Sequence, residues 1–421
     1  MKKVLVVSYY YPPIGGVGVI RSLKFSKYLH LYGWQPFILS VKNRDLFYTT
    51  PGKDEIPPDI TVSRTWNIIN NISIIEGGLR RLGVASQFIV PDAYFGWIPT
   101  AIQKGIQIIK SEKIDLIYVS CPPHSAGIIG ARLTKATGVP LVVDFRDSWT
   151  INPYAGRYLT KISKNIDEFL EKEVIKNATY LIAATEGIQK DYLKKYPELQ
   201  RKIHYIPNGF DAEDIPSSRQ SFAQFTVLYT GYFYGSRTPE NLFAALENIK
   251  NNSSIPPGEF RFLWAGPDTE IVHKLAEKYH LTNIVEYLGL VSKTEAEGLV
   301  SNSHLLYFKI GETDNDTVNN TMTGKIFSYI ASGRPILAEI PKGSAEELIK
   351  KYSDKYYIIH TSDPLDLQTA IIDAYRCWKG GIRENTMSVK KTDFIKEFDF
   401  RYLTGKLADL FSSAAGLPDN A

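Results

Sequence analysis

The chain opens twice in the same way, and that repetition constrains its fold more than any other feature. Residues 4–7 form a continuous apolar run, as in a strand buried on both faces of a parallel sheet. Pro12-Pro13 stop it and Gly15-Gly16 follow in a turn. Ile20, Leu23, Tyr28, Leu29 and Leu31 then recur at roughly helical spacing, with Arg21, Lys24 and Lys27 on another face. The order returns in the second half: an apolar run over 225–229, a glycine turn from Gly231 to Gly235 with Arg237 behind it, and a helix to about Lys250. Strand, glycine turn and helix together aim free backbone N–H groups and a helix N-terminus at one spot, which suits an anion. Glycines that only permit a tight turn are the simpler alternative.

Between and after these openings, short apolar runs alternate with amphipathic stretches. Strands are expected at 36–41, 60–64, 116–120, 141–145, 180–184 and 203–206, then at 261–265, 284–288, 305–308, 335–339 and 356–359. Helices fall between them at 99–110, 125–137, 158–176, 270–280, 293–301, 324–332, 344–352 and 364–378, and a terminal helix covers 390–412. This alternation is that of βαβ units, so the fold class is α/β with two Rossmann-like domains facing across a cleft. The first domain spans 1–210 and takes back a crossover helix at about 390–421; the second spans 211–389. The polar stretch 212–223 reads as the linker. Ligands of such sheets bind at the carboxyl ends of the strands.

Composition removes several function classes. No stretch approaches about 18 consecutive apolar residues, so no span is expected. The run behind Met1-Lys2-Lys3 is too short for a leader. Two cysteines, Cys121 and Cys377, lie far apart, which speaks against a disulfide framework and for a cytoplasmic setting. The net charge of +4 hides +10 over residues 1–210 and −6 over the rest. A basic half can attract anionic lipid or a phosphorylated substrate, although lysines on solvated helix faces account for much of it. Arg80-Arg81, within the aromatic and isoleucine-rich stretch 66–98, suit a membrane surface; ordinary core is the alternative. With no arginine-rich run and no aromatic-basic module, nucleic acid is not an expected partner.

Chemistry-bearing residues cluster at strand ends. Asp144-Phe145-Arg146-Asp147 closes an otherwise apolar strand, and an internal bridge from Arg146 to a carboxylate competes with a ligand role. Arg237, six residues after Gly231, can clamp a diphosphate with two parallel hydrogen bonds. Thr323 and Gly324 suit a helix start, and Lys325 in the first turn opposes the helix dipole unless an anion or a carboxylate sits beside it. The polar loop from Asn315-Asp316 to Asn319-Asn320 can bind sugar hydroxyls, or can simply be a loop. His124 reads as an N-cap neighbour. No metal-ligand spacing, nucleophile elbow or phosphate-loop lysine occurs.

In order along the chain, Tyr11-Pro-Pro-x-Gly-Gly-Val-Gly18 with Arg21 and Lys24, Pro91-Asp92, Trp97, Ser120-x-Pro122-Pro123 and Val143-Asp-Phe-Arg-Asp-Ser-Trp149 resemble one known family. Pro207-Asn-Gly-Phe-Asp211, Gly231-x5-Arg237, Leu288-Gly289 and the run from Lys325 to Pro335 complete the set. It is the retaining, nucleotide-sugar-dependent glycosyltransferases of family 4, with the GT-B fold. The resemblance implies a nucleoside diphosphate sugar held by the C-terminal domain and an acceptor held by the N-terminal one. It places Arg237 and Lys325 on the diphosphate, with Gly231, Thr323 and Gly324 beside them. Gly15 and Gly16 would supply backbone amides. Arg146 and Asp147 stand where the family has a His-Asp pair beside the donor sugar, and the base would lie near Gly266 and Tyr287. The family's two glutamates, eight positions apart, read Asn320 and Ser328 here, and serine is too short to chelate two ribose hydroxyls. A deoxythymidine diphosphate sugar would be affected less by that change. The implied activity is a metal-independent hexosyl transfer with no cofactor beyond the donor, to a glycan or lipid-linked acceptor in cell-surface polysaccharide or glycolipid assembly. Peripheral contact with an anionic membrane is a further expectation. A non-catalytic scaffold and a nucleotide-sugar epimerase of the same fold are the alternatives.

Overall fold

The structure, a computed structural model, describes residues 1–15, 17–42, 56–69, 90–151, 160–216, 220–233, 237–311, 323–360, 363–381 and 389–416. Gly16, Asn320, the pair Arg80-Arg81 and the loop 315–320 therefore lie outside the described residues. The chain forms two compact units: one runs to Asn208 and resumes at Phe400, the other runs from Gly209 to Asp399.

The first unit is built on a seven-stranded sheet of β1 (Lys2–Val7), β2 (Trp34–Val41), β3 (Thr61–Thr65), β4 (Leu116–Cys121), β5 (Leu141–Phe145), β6 (Tyr180–Ala183) and β7 (Ile203–Tyr205). Its order is β3-β2-β1-β4-β5-β6-β7, all pairs parallel, with Val4 opposite Pro36 on one side and Leu116 on the other. The apolar runs of β1, β4 and β5 are buried on both faces because helices cover both sides of the sheet. Those helices are α1 (Val17–Tyr28), α2 (Ile98–Glu112), α3 (Ser125–Thr137), α4 (Lys161–Asn177) and α5 (Glu186–Lys195). Gly138 ends α3 in the left-handed conformation, φ 74°, where a Cβ would be strained. Thr160 and Thr185 cap α4 and α5 by accepting from the backbone N–H of Ser163 and Ile188. Helix α5 was not anticipated; only Ile188 and Tyr192 of its ten residues are buried, too few to mark a period.

The second unit holds β8 (Phe225–Thr230), β9 (Phe260–Ala265), β10 (Val285–Gly289), β11 (Leu305–Lys309), β12 (Ile336–Glu339) and β13 (Tyr356–Ile359) in the order β10-β9-β8-β11-β12-β13, again all parallel. Alternation along each strand divides its interior in two. Val227, Tyr229, Phe262, Trp264 and Tyr307 pack on one face, while Leu228, Leu263, Leu306 and Phe308 pack on the other. Helices α6 (Glu240–Asn251), α7 (Glu270–Lys278), α8 (Lys293–Asn302), α9 (Lys325–Ser332), α10 (Ser344–Tyr352), α11 (Pro364–Lys379) and α12 (Val389–Phe398) complete the unit. In both sheets the order reverses beside the first strand, between β1 and β4 and between β8 and β11, which is where doubly wound sheets open a crevice at their carboxyl ends.

The expected terminal helix at 390–412 is instead two helices separated at the buried Asp399. Helix α12 packs on α9 and α10, and α13 (Phe400–Ala414) packs on α1. The side chains of Phe400, Leu403, Leu407 and Phe411 enter the core of the first unit, where the Phe411 ring meets Trp34 at 5.4 Å.

Candidate active site

At the carboxyl end of β8 the chain turns sharply. Gly231 has φ 126°, a conformation closed to most side chains, and its N–H donates to the Ala265 carbonyl at 2.8 Å. Trp264 Nε1 donates to the Gly231 carbonyl at 3.0 Å. Gly266 lies directly beneath: a Cβ there would overlap the Gly231 carbonyl oxygen, so the two loops approach only because both residues are glycine. The Gly266 N–H donates to Gly289, and the Tyr287 hydroxyl donates to the Gly266 carbonyl at 3.1 Å. Tyr229, Phe233, Trp264 and Tyr287 form an aromatic floor, with the Trp264 and Tyr287 rings 4.4 Å apart.

Lys325 comes to this spot from the first turn of α9, whose N-cap is Gly324. Its ammonium lies 3.8 Å from the centre of the Tyr229 ring, and 2.8 Å from where a Cβ on Gly231 would stand. It is half-buried, and among the described residues no carboxylate or other hydrogen-bond acceptor reaches it. Burial pushes its pKa well below that of an ordinary lysine, and the nearby positive charge of Arg237 lowers it further. The Thr323 hydroxyl oxygen, just before the helix, is buried without a partner among the described residues. Two cations, the Thr323 hydroxyl and a helix N-terminus thus converge beside the glycine turns, and the Lys325 ammonium at that N-terminus is unfavourable without an anion. Ser328, one turn along α9, donates to Glu297 Oε1 at 2.8 Å.

The first unit places Gly15 in the turn after β1 and brings Arg146 and Asp147 to the end of β5. The bridge from Arg146 to a neighbouring carboxylate, the alternative to a ligand role, does not form among the described residues. Asp144 turns instead to Arg21, whose Nε and Nη2 donate to its two oxygens at 2.6 and 3.0 Å. The same guanidinium donates to the carbonyls of Ile206 and Pro207 at 2.8 and 2.6 Å, and Tyr118 donates to Asp144 at 2.5 Å. Arg21 is 2 % exposed, so the helical spacing that set it on a face with Lys27 missed its role as a buried clamp. Lys24, also placed on that face, is buried too.

The Arg146 side chain, freed of Asp144, donates to the Pro122 carbonyl and lies against Gly18 in the first turn of α1. Its Nε is buried without an acceptor among the described residues. Asp147 keeps an exposed surface although protein crowds its carboxyl; that crowding raises its pKa, and Arg146 opposes the rise. Two sequence marks are structural. Asp92 accepts from the Ser125 N–H and hydroxyl at the start of α3, and His124 stacks on Trp149 with ring centres 4.7 Å apart. Of the sequence-predicted residues, the structure brings together Gly231, Arg237, Gly266, Tyr287, Thr323, Gly324 and Lys325 at one end of the second sheet. Gly15, Arg146 and Asp147 belong to the first unit.

Two parallel doubly wound domains with this strand order define the GT-B class, and solved structures of that class match along the whole chain. A sucrose-phosphate synthase from Thermosynechococcus elongatus superimposes with a TM-score of 0.66 at 15% identity, covering 98% of this chain and 99% of its own. HepE from Anabaena, solved with UDP and glucose, gives 0.64 at 16% identity over 98% and 100%. A UDP-N-acetylglucosamine 2-epimerase gives 0.55 at 12% identity over 100% and 99%. No curated relative matches in sequence. Residues 54–214 match the model of Glycosyltransferase Family 4, so the chain resembles the GT-B glycosyltransferases to which its motifs pointed.

Proposed function

We propose that this protein transfers a sugar, with retention, from a nucleoside diphosphate sugar to an acceptor hydroxyl. One observation carries the reading: the Lys325 ammonium is held half-buried at a helix N-terminus beside Arg237 and Gly231, without a carboxylate among the described residues. A half-buried ammonium at a helix N-terminus is favoured by an anion, and a leaving diphosphate supplies one. HepE, of like fold, was solved with UDP and glucose. Charge developing on the departing phosphate would be met by Lys325 and Arg237, in place before the reaction begins. The transfer then needs no metal, because these cations do its electrostatic work. The leaving phosphate accepts the proton of the incoming hydroxyl.

Calorimetric titration with UDP, GDP and dTDP tests the reading directly. Micromolar binding of at least one is expected. Binding of none overturns the donor site and favours a scaffold. Conversion of a nucleotide-sugar in the absence of any acceptor would point to the epimerase alternative.

The acceptor belongs to a lipid-linked or polysaccharide glycan on the cytoplasmic face of the membrane. Helix α4 supports this, since Ile162, Ile166 and Phe169 stand exposed at positions i, i+4 and i+7 with Lys161, Lys164 and Lys172 around them. An apolar ridge flanked by lysines complements an anionic bilayer. Ile166→Asp is expected to abolish co-sedimentation with phosphatidylglycerol vesicles at low salt while leaving nucleotide binding intact. Equal sedimentation of both proteins would remove this face from the proposal.

A further inference from the structure

The second unit carries a pair of nucleophiles among residues that the diphosphate site does not use. Lys355 directly precedes β13, an edge strand of the second sheet, and Cys377 lies in the last turn of α11. The fold brings the Lys355 nitrogen to 2.7 Å from Cys377 Sγ. Hydrogen bonds from N–H to oxygen centre on about 2.9 Å, and sulfur is larger than oxygen, so this approach is close. A carboxylate stands nearby instead: Asp373, one turn back on α11, has Oδ2 3.5 Å from the same nitrogen. That oxygen accepts from the Tyr357 hydroxyl at 2.5 Å and lies 3.9 Å from Cys377 Sγ. The lysine nitrogen thus rests on sulfur in preference to the nearest anion.

Both side chains are partly exposed, so a small oxidant reaches them. Cys121, the other cysteine of the chain, is fully buried in the core of the first unit. The neighbour that an oxidised Cys377 meets is therefore an amine and not a second thiol of the chain. A single oxygen bonded to both atoms holds nitrogen and sulfur at about the separation seen here.

We infer that Lys355 and Cys377 form an oxygen-bridged cross-link, Nζ–O–Sγ, when the protein meets dioxygen. One amine, one thiol and one dioxygen give the bridge and one water. The O–O bond breaks. One oxygen bonds to nitrogen and to sulfur, and the other leaves as water with one hydrogen from Nζ and one from Sγ. Nitrogen and sulfur together give up the four electrons that dioxygen takes. Two equivalents of a dithiol, each becoming a disulfide, return the free amine and thiol and release the bridging oxygen as water. The closed bridge ties the edge strand to the helix packed beside it, across 22 positions of the chain.

Intact-mass measurement tests this on the full chain kept in air-saturated buffer and on the same protein treated with dithiothreitol. The air-exposed wild type should be heavier by one oxygen less two hydrogens, and dithiothreitol should remove that gain. Its tryptic digest should contain a peptide joining the Lys355 and Cys377 segments. Cys377→Ser and Lys355→Arg should each lose the species. Lys355→Arg keeps a positive charge beside the sulfur, so its loss reports the bridge and not the ion pair. Lys379→Met, which removes a lysine two residues from Cys377, should retain it. Thermal melts check that each variant is folded. A wild type that stays unmodified, or that gains a whole oxygen as a sulfenic acid, overturns the cross-link. So does a bridged mass that survives Lys355→Arg or vanishes in Lys379→Met.

Discussion

Arg21→Ala will be the most destabilising single substitution among the residues described above, at roughly 3–5 kcal/mol, the range for stripping one partner from a buried ion pair. The reason lies in what is left behind. Asp144, next to the carboxyl end of β5 and fully buried, would retain only the Tyr118 hydroxyl, and the Ile206 and Pro207 carbonyls would lose their donor. Arg21→Lys keeps the charge but cannot reproduce the planar fork, so it is expected to fall between alanine and the wild type. Urea unfolding monitored by far-ultraviolet circular dichroism measures both. An alanine variant whose first transition keeps its midpoint would show that the clamp contributes little.

The second large effect separates in kind from the first. Lys325→Ala should weaken nucleoside diphosphate binding by about 10- to 150-fold, equivalent to roughly 1.5–3 kcal/mol for a charge-assisted hydrogen bond. The fold should not suffer, because the substitution removes a half-buried amine that has no acceptor among the described residues. Loss of binding with unchanged or raised melting temperature is the signature of a residue kept for its ligand. Protonation supplies a second readout. In the free protein the Lys325 pKa is depressed by burial and by Arg237; a bound diphosphate favours the charged form and raises it. Binding must then take up a proton at pH values between the two, and affinity must fall as pH rises through that window. Calorimetry in buffers of different ionisation enthalpy counts the proton. Uptake that persists in Lys325→Ala would assign it elsewhere.

These two residues also mark how far the sequence could be read. Lys325 betrayed itself locally, since a lysine in the first turn of a helix breaks the dipole preference within a few residues. The strands were legible for a similar reason: Leu141–Phe145 is apolar without interruption because both faces are covered, and burial leaves that mark without any partner being known. Arg21 carried no such mark. Its partner Asp144 is 123 positions away, and helical spacing alone set it among solvated lysines. A bridge from Arg146 to a neighbouring carboxylate was the alternative the chain order offered, whereas the fold brings α1 and Arg21 to Asp144. Helix α5 failed on weak patterning, with too few apolar side chains to reveal a face.

The division of the terminal helix at Asp399 bears on how the molecule is made. The first unit borrows part of its interior from α13, which follows the whole second unit in the chain, with Phe411 seated against Trp34 across 377 positions. During synthesis the first two hundred residues therefore emerge with an apolar slab uncovered, and they wait for the whole second unit to be translated before it is filled. The described residues of the second unit run in one stretch from Gly209 to Asp399. The order of completion is thus inverted with respect to the order of translation: the second unit can close first, and the first unit closes only once α13 has followed it.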